Sequence, residues 1–302
     1  MDRVRKQLHL DEIYHMGLTG KDVNVCVLDT GLFMHRDFTG RVVEFIDFTG
    51  RGRKGPYDDS GHGTHVCGIL AGSGYAGGGQ FMGIAPEAGI IAGKILDREG
   101  KGSIEELFSA MDWILSNQRS YQIRLVNISI GIPEKDDFME NQEKRKQLRR
   151  YIELLYERGI LLVTAAGNFG PENNSLSLLG ESTHTICVGC HDGAAKFGNI
   201  KKCENYSGRG PSVYSLRKPD LVAPGTQIIS CSNRHPAGYV RKSGTSMSCP
   251  IVSGLAALLL QRYPGISVEE LMQKLRKGTT DLGEPWTKQG YGMIDGAKVF
   301  GF

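Results

Sequence analysis

Val23-Asn-Val-Cys-Val-Leu28, closed by Asp29-Thr30-Gly31, is an almost unbroken apolar run that stops at a charged residue and a turn. A run of this length without polar alternation suits a strand buried on both faces, as in a parallel sheet. Similar runs end at Leu125-Val-Asn-Ile-Ser129 and Ile160-Leu-Leu-Val-Thr164. Between them lie segments with helical spacing: Thr64 to Ala71, Ser103 to Ser116 with Ser103 as N-cap and Glu106 completing a capping box, and a long one through Gln142 to Arg158. Later strand candidates are shorter, at Thr185 to Cys190, Val222 to Gly225 and Gln227 to Cys231, and the last third turns helical from Met247 to Arg262 and from Ser267 to Lys277. This alternation predicts an α/β fold: three layers, doubly wound, with a mostly parallel central sheet and helices on both faces. No internal repeat or Pro- or Ser-rich linker interrupts the pattern, so the expectation is a single domain over residues 1–302 with no separate pro-domain.

A chain of 302 residues is long enough for one large core. Its net charge is only +3, and the one basic run, Lys144 to Arg150, alternates with Gln and Leu as a solvated helix face would. No nucleic-acid partner is expected from such a balance. No membrane association is expected either, since no stretch approaches the roughly 18 consecutive apolar residues a span needs. The first residues are not followed by the apolar segment of a secretory signal. Seven dispersed cysteines, an odd number without framework spacing, point to a reducing compartment. Cys187-Val-Gly-Cys190 has the C-x-x-C form, but no second pair or helix start accompanies it, and it reads as buried strand cysteines.

In a parallel sheet, functional groups gather beyond the carboxyl ends of strands, where Asp29 is placed by its own sequence. Asp59-Ser-Gly-His62-Gly-Thr-His65 puts a histidine between glycines that let backbone and substrate approach its ring. Two histidines three apart could be metal ligands, yet H-E-x-x-H is absent and no third ligand is marked. Ser243-Gly-Thr-Ser246-Met-Ser-Cys-Pro250 opens an apolar helix, so backbone N–H groups and the positive dipole end face Ser246. A plain N-cap would explain that serine alone. The G-x-S-x-G elbow is excluded because Ser248 stands at the second glycine. Thr164-Ala-Ala-Gly-Asn168-Phe-Gly170 adds a side-chain amide suited to an oxyanion, though Asn before a turn is also common for structural reasons. Each motif has a bland explanation by itself; the order Asp, His, Asn, Ser makes joint coincidence a poor one.

On these motifs, with Gly83-Ile-Ala-Pro86 and the closing Gly290-Tyr-Gly-Met-Ile-Asp295, the chain resembles the subtilases over nearly its whole length. The resemblance implies a serine endopeptidase with Asp29, His62 and Ser246 as triad, Asn168 in the oxyanion hole and peptides or proteins as substrates. It also implies that Ser129, Ile130 and Gly131 form one wall of the primary specificity pocket and Ala165, Ala166 and Gly167 the other, with Gly100 and Gly102 on an edge that pairs with substrate backbone. Small wall residues suggest a large apolar P1 with broad tolerance, or else a dedicated processing protease. Asp97, Glu99 and Glu134 would favour basic residues at outer subsites or are merely solvated. A catalytically silent subtilase acting as a binding or regulatory protein is the alternative from another class.

Some positions depart from the family pattern. Leu178-Leu179-Gly180 stands where relatives usually have Ser-Pro-Gly, so the pocket floor differs. Asp37 matches a carboxylate that helps hold calcium in many relatives, whereas the partner loop Gly77-Gly-Gly-Gln80-Phe lacks an acidic or Asn ligand and leaves backbone carbonyls to complete a shell. A structural calcium is an open expectation, and the chemistry requires no cofactor. Cys249, three residues after Ser246, reads as packing. Beginning almost directly with the catalytic region, the chain looks like the intracellular subtilases and is expected in the cytoplasm; secretion is the alternative if a signal and pro-region have been removed. The oligomeric state is left open.

Overall fold

Side chains alternate across a strand, so a stretch that stays apolar from Val25 to Leu28 fills both faces. In the computed structural model, β1 (Asn24–Asp29) sends Val25 and Val27 into one buried apolar layer and Cys26 and Leu28 into another. The structure describes every residue except 51, 52, 134–141 and 215. After helices α1 (Asp2–Gln7) and α2 (Asp11–His15), the chain forms β1, β2 (Val42–Asp47), α3 (His62–Ala71), β3 (Gly89–Lys94), α4 (Ile104–Asn117), β4 (Leu125–Ile128), α5 (Gln142–Glu157), β5 (Leu161–Ala165) and β6 (Thr185–Cys190). It continues through β7 (Leu221–Ala223), β8 (Ile228–Cys231), β9 (Tyr239–Lys242), α6 (Thr245–Arg262), α7 (Val268–Lys277), β10 (Thr279–Thr280), α8 (Trp286–Gln289), β11 (Met293–Ile294) and α9 (Gly296–Phe300).

Among the described residues the central sheet runs β10-β11-β7-β6-β5-β4-β1-β3-β2, parallel throughout except where β10 meets β11. Helices α3, α6 and α7 bury one face of it, with α6 almost wholly enclosed, and α4 and α5 bury the other. This is the three-layer, doubly wound α/β arrangement expected. The capping box at Ser103 and Glu106 forms as read, and a second one joins Ser267 to Glu270 at the start of α7. In α5 the basic run faces solvent, while Leu148, Ile152 and Leu155 recur at helical spacing on the buried side. No helix among the described residues is long and apolar enough to cross a membrane.

Several elements differ from expectation for physical reasons. β3, absent from the expected strands, begins on Gly89 and carries Gly93; a Cβ at Gly93 would stand 2.6 Å from the Leu28 side chain, so the glycine lets two strands' side chains interdigitate. β8 is not in the main sheet. After β7, Pro224-Gly225 turns the chain away, and β8 pairs antiparallel with β9 alone. Cys190 and Cys203 lie side by side, with 5.8 Å between Cα atoms, a proximity invisible as a spacing motif. Cys187 is a buried free thiol, as are Cys26, Cys67, Cys231 and Cys249.

Candidate active site

Strands β1, β4 and β5 are neighbours in register and end together, so Asp29, Ser129 and the segment Ala165 to Asn168 share one rim of the sheet. Asp29 is buried, and its Oδ1 accepts from the Thr30 N–H and lies 2.7 Å from His62 Nδ1. A carboxylate only accepts, so Nδ1 carries the proton and Nε2 keeps its lone pair. His62 is the first residue of α3, two residues earlier than the sequence suggested. The approach depends on Gly63: a Cβ there would strike the Gly31 carbonyl and stand 3.2 Å from Asp29 Cβ. Burial pulls the His62 imidazole down, but the charge and hydrogen bond of Asp29 outweigh it and leave its pKa above the ordinary 6.5.

Two residues with no motif signal hold this corner. Asp58 Oδ1 accepts from Thr30 Oγ1 at 2.9 Å and the Gly61 N–H at 2.7 Å, while Oδ2 accepts from the Thr64 N–H at 2.8 Å and Thr64 Oγ1 at 2.6 Å. It thereby caps the start of α3 and ties it to β1. Lys94, fully buried, donates to the Thr30 and Leu96 carbonyls and to Asp59 Oδ1 within 2.8 Å. His65 plays another part: its Nε2 faces the Ile228 and Val240 carbonyls at 3.1 Å each, and burial pushes its pKa down to about 3. It is a neutral bridge between α3 and the β8–β9 pair, which answers the metal-ligand alternative.

Ser246 is the second residue of the eighteen-residue α6 and is half-buried. Asn168 meets the helix start: its Oδ1 accepts from the Thr245 N–H at 3.1 Å and from Thr245 Oγ1 at 3.2 Å. A backbone N–H can only donate, so the oxygen is fixed by this bond and Asn168 Nδ2 is left to donate elsewhere. Gly244, at φ 145°, is needed here because a Cβ would press within 3.3 Å of Nδ2. Among the described residues no hydrogen bond joins Ser246 to His62. Cys249 is buried as expected, 3.3 Å from Asn127 Oδ1, and burial pushes its thiol pKa up.

The expected substrate segments converge on the same rim. Gly100, Gly102, Ile130 and Gly131 line a cavity of about 370 Å³ with Leu96, Ile104, Leu107 and Ile132. Ser129, Ala165 and Ala166 are buried, and Gly167 adopts φ 89°. Asp97 spends Oδ1 on the N–H groups of Glu99 and Lys101 within its own loop, and Glu99 is exposed. Glu134 lies outside the described residues. Phe169, which sequence reading passed over, packs on Gly131 and Gly167.

At Asp37, calcium would need a shell of roughly six to eight oxygens. Both carboxylate oxygens instead face protein donors: Oδ1 the Ala76 N–H at 2.9 Å, Oδ2 the Tyr239 hydroxyl at 2.8 Å and Cys231 Sγ at 3.6 Å. The expected loop packs its Gly77 against Phe81 and Tyr239 and offers no acidic side chain. N–H and O–H dipoles turned toward this point attract an anion and repel a cation, so the set does not fit a calcium site.

The Subtilase family matches residues 20–293. Serine protease AprX of Bacillus subtilis (strain 168) is 35% identical over 297 residues, covering 92% of this chain and 66% of AprX. The minor extracellular protease Epr of the same strain is 32% identical over 292 residues, 95% of this chain but 40% of Epr, so the chain spans less than two thirds of either. Subtilisin Savinase of Lederbergia lenta is 31% identical over 284 residues, 93% of this chain and 92% of Savinase. The crystal structure of a cold adapted subtilisin-like serine proteinase matches with a TM-score of 0.67 at 26% identity, over 92% of this chain and 88% of that one. With the doubly wound sheet and the Asp, His, Asn, Ser order on one rim, these likenesses show that the chain belongs to the subtilase family of serine endopeptidases.

Proposed function

We propose that this chain cleaves peptide bonds through an acyl-enzyme, with Ser246 as nucleophile, His62 as base and then acid, Asp29 as the group that orients His62, and Asn168 Nδ2 with the Ser246 N–H as oxyanion donors. The observation that carries the proposal is the Asp29–His62 bond, which fixes the proton on Nδ1 and leaves Nε2 as a base. Ser246 Oγ would attack the carbonyl carbon as its proton passes to Nε2, the developing oxyanion would take the donors at the start of α6, and the imidazolium would return the proton to the amine as the C–N bond breaks. Water, deprotonated by the same Nε2, would then release the acid. The cavity beside Gly100 and Ile130 suits an apolar side chain of a bound peptide.

Asn168→Ala is expected to lower kcat by about 10²–10³ with KM little changed, a range carried over from subtilisin. Steady-state kinetics on a peptide anilide reads both parameters, and a raised KM at unchanged kcat would refute the oxyanion role. A melting curve should accompany it, because the variant also uncaps Thr245.

The Asp37 anchor is proposed to work without calcium. A chelator should leave the melting temperature unchanged, whereas Tyr239→Phe, which withdraws a donor from a buried carboxylate, should cost about 1–3 kcal/mol. A melting point lowered by chelator and restored by added calcium would contradict this.

A further inference from the structure

The expectation of a large apolar P1 treats the slot between residues 129–131 and 165–167 as open space. The Phe169 side chain lies against the Gly131 and Gly167 ends of both walls. A Cβ on Gly131 would stand 3.1 Å from Phe169 Cζ and 3.2 Å from Cε2, and one on Gly167 would stand 2.9 Å from both Cδ2 and Cε2. One edge of the ring therefore touches both walls. The walls are themselves close, since the same Cβ on Gly131 would be 3.4 Å from Gly167 Cα. Behind them the slot is laced shut. Ser177 donates its N–H to the Ala166 carbonyl at 2.8 Å, Ser177 Oγ accepts from the Ile132 N–H at 2.9 Å, and the Leu178 N–H reaches the Ile132 carbonyl at 3.1 Å.

Phe169 is 43% exposed, so it is not part of the core. The small buried apolar group of Ala166, Leu176 and Cys187 does not include it. A large aromatic ring left at the surface, resting on two glycines, has taken a position that only bare backbone permits. Its neighbour Asn168 is fixed by Thr245, so the ring sits one residue from the proposed oxyanion donor and cannot be remote from the reacting bond.

Resting on the peptidase reading above, the geometry points to Phe169 as the specificity-determining residue of the primary slot: its ring fills the space a P1 side chain would take, and the enzyme cleaves after small residues such as alanine or glycine. A large P1 group must first push the ring into solvent. Apolar recognition then falls to the neighbouring cavity lined by Leu96, Ile104, Leu107 and Ile132.

The test uses the full chain, wild type and Phe169→Ala, with peptide anilides that differ only at P1 (Gly, Ala, Leu or Phe), alongside labelling by a fluorophosphonate that carries no P1 side chain. Wild type should favour alanine over phenylalanine in kcat/KM, and Phe169→Ala should raise the Phe-to-Ala ratio by about 10–100-fold, the scale of steric discrimination in an apolar pocket. If Phe169→Ala disturbs Asn168 and loses labelling, Phe169→Leu supplies the same comparison with a smaller shift in the same direction. A wild type that labels and prefers P1 phenylalanine, with a ratio that neither variant moves, overturns this inference alone. A folded wild type that does not label overturns the peptidase reading and this inference with it.

Discussion

Ser246→Ala is expected to lose peptide hydrolysis by a factor on the order of 10⁴–10⁶ in kcat, a magnitude carried over from the subtilisin triad, while the protein stays folded. The fold should survive because the helix start does not depend on this hydroxyl. Asn168 holds Thr245, and Ser248, whose Oγ donates to the Ala223 carbonyl at 2.9 Å, holds the next turn. Stability should change by less than about 0.5 kcal/mol, as for a substitution outside core and caps. The measurement is the mass of the fluorophosphonate adduct in wild type and variant, paired with turnover of a chromogenic peptide. Adduct and turnover lost together identify the nucleophile. Labelling that persists in the variant places the reactive hydroxyl elsewhere. A silent subtilase would give neither adduct nor turnover in the wild type, which separates that alternative in the same experiment.

The sequence was most legible where a local pattern has one physical meaning. Continuous apolar runs such as Leu161 to Ala165 announce a strand covered on both faces, and the capping box at Ser103 announces a helix start, because each is satisfied by neighbours in the chain. The places of Asp29, His62, Asn168 and Ser246 in the fold were legible for a related reason: each carries its own local context of strand end, glycine flank or helix start. What could not be read depends on partners far apart in sequence. Asp58 carries no motif, and only the folded chain shows it gripping Thr30 and Thr64 together. Tyr239 is about two hundred residues from Asp37, yet its hydroxyl satisfies the carboxylate that the resemblance had offered to calcium. Phe169 sat inside the quoted Asn168 motif and still escaped notice, since its importance lies in where the ring goes and not in its spacing.

Asp29→Asn should have the second largest effect, and it separates two roles of one carboxylate. In the native pair, Asp29 raises the His62 pKa above 6.5 against the downward pull of burial. The attraction between imidazolium and carboxylate therefore stabilises the fold fully below the unfolded pKa and is lost as pH rises through the folded one. Catalysis needs the opposite protonation state, so kcat/KM should climb with pH along an acid limb centred above 6.5. Asparagine removes the charge and leaves burial in command, so the limb should move below 6.5. It also offers an N–H toward Nδ1, which favours the tautomer with the proton on Nε2, where it blocks the base. Activity at the plateau should accordingly fall by about 10⁴ while the limb shifts to lower pH. A pH series of kcat/KM for both proteins reads amplitude and midpoint together. A plateau lowered with its midpoint unmoved would mean that Asp29 orients the ring without setting its charge, and a midpoint moved with the plateau intact would remove Asp29 from the mechanism.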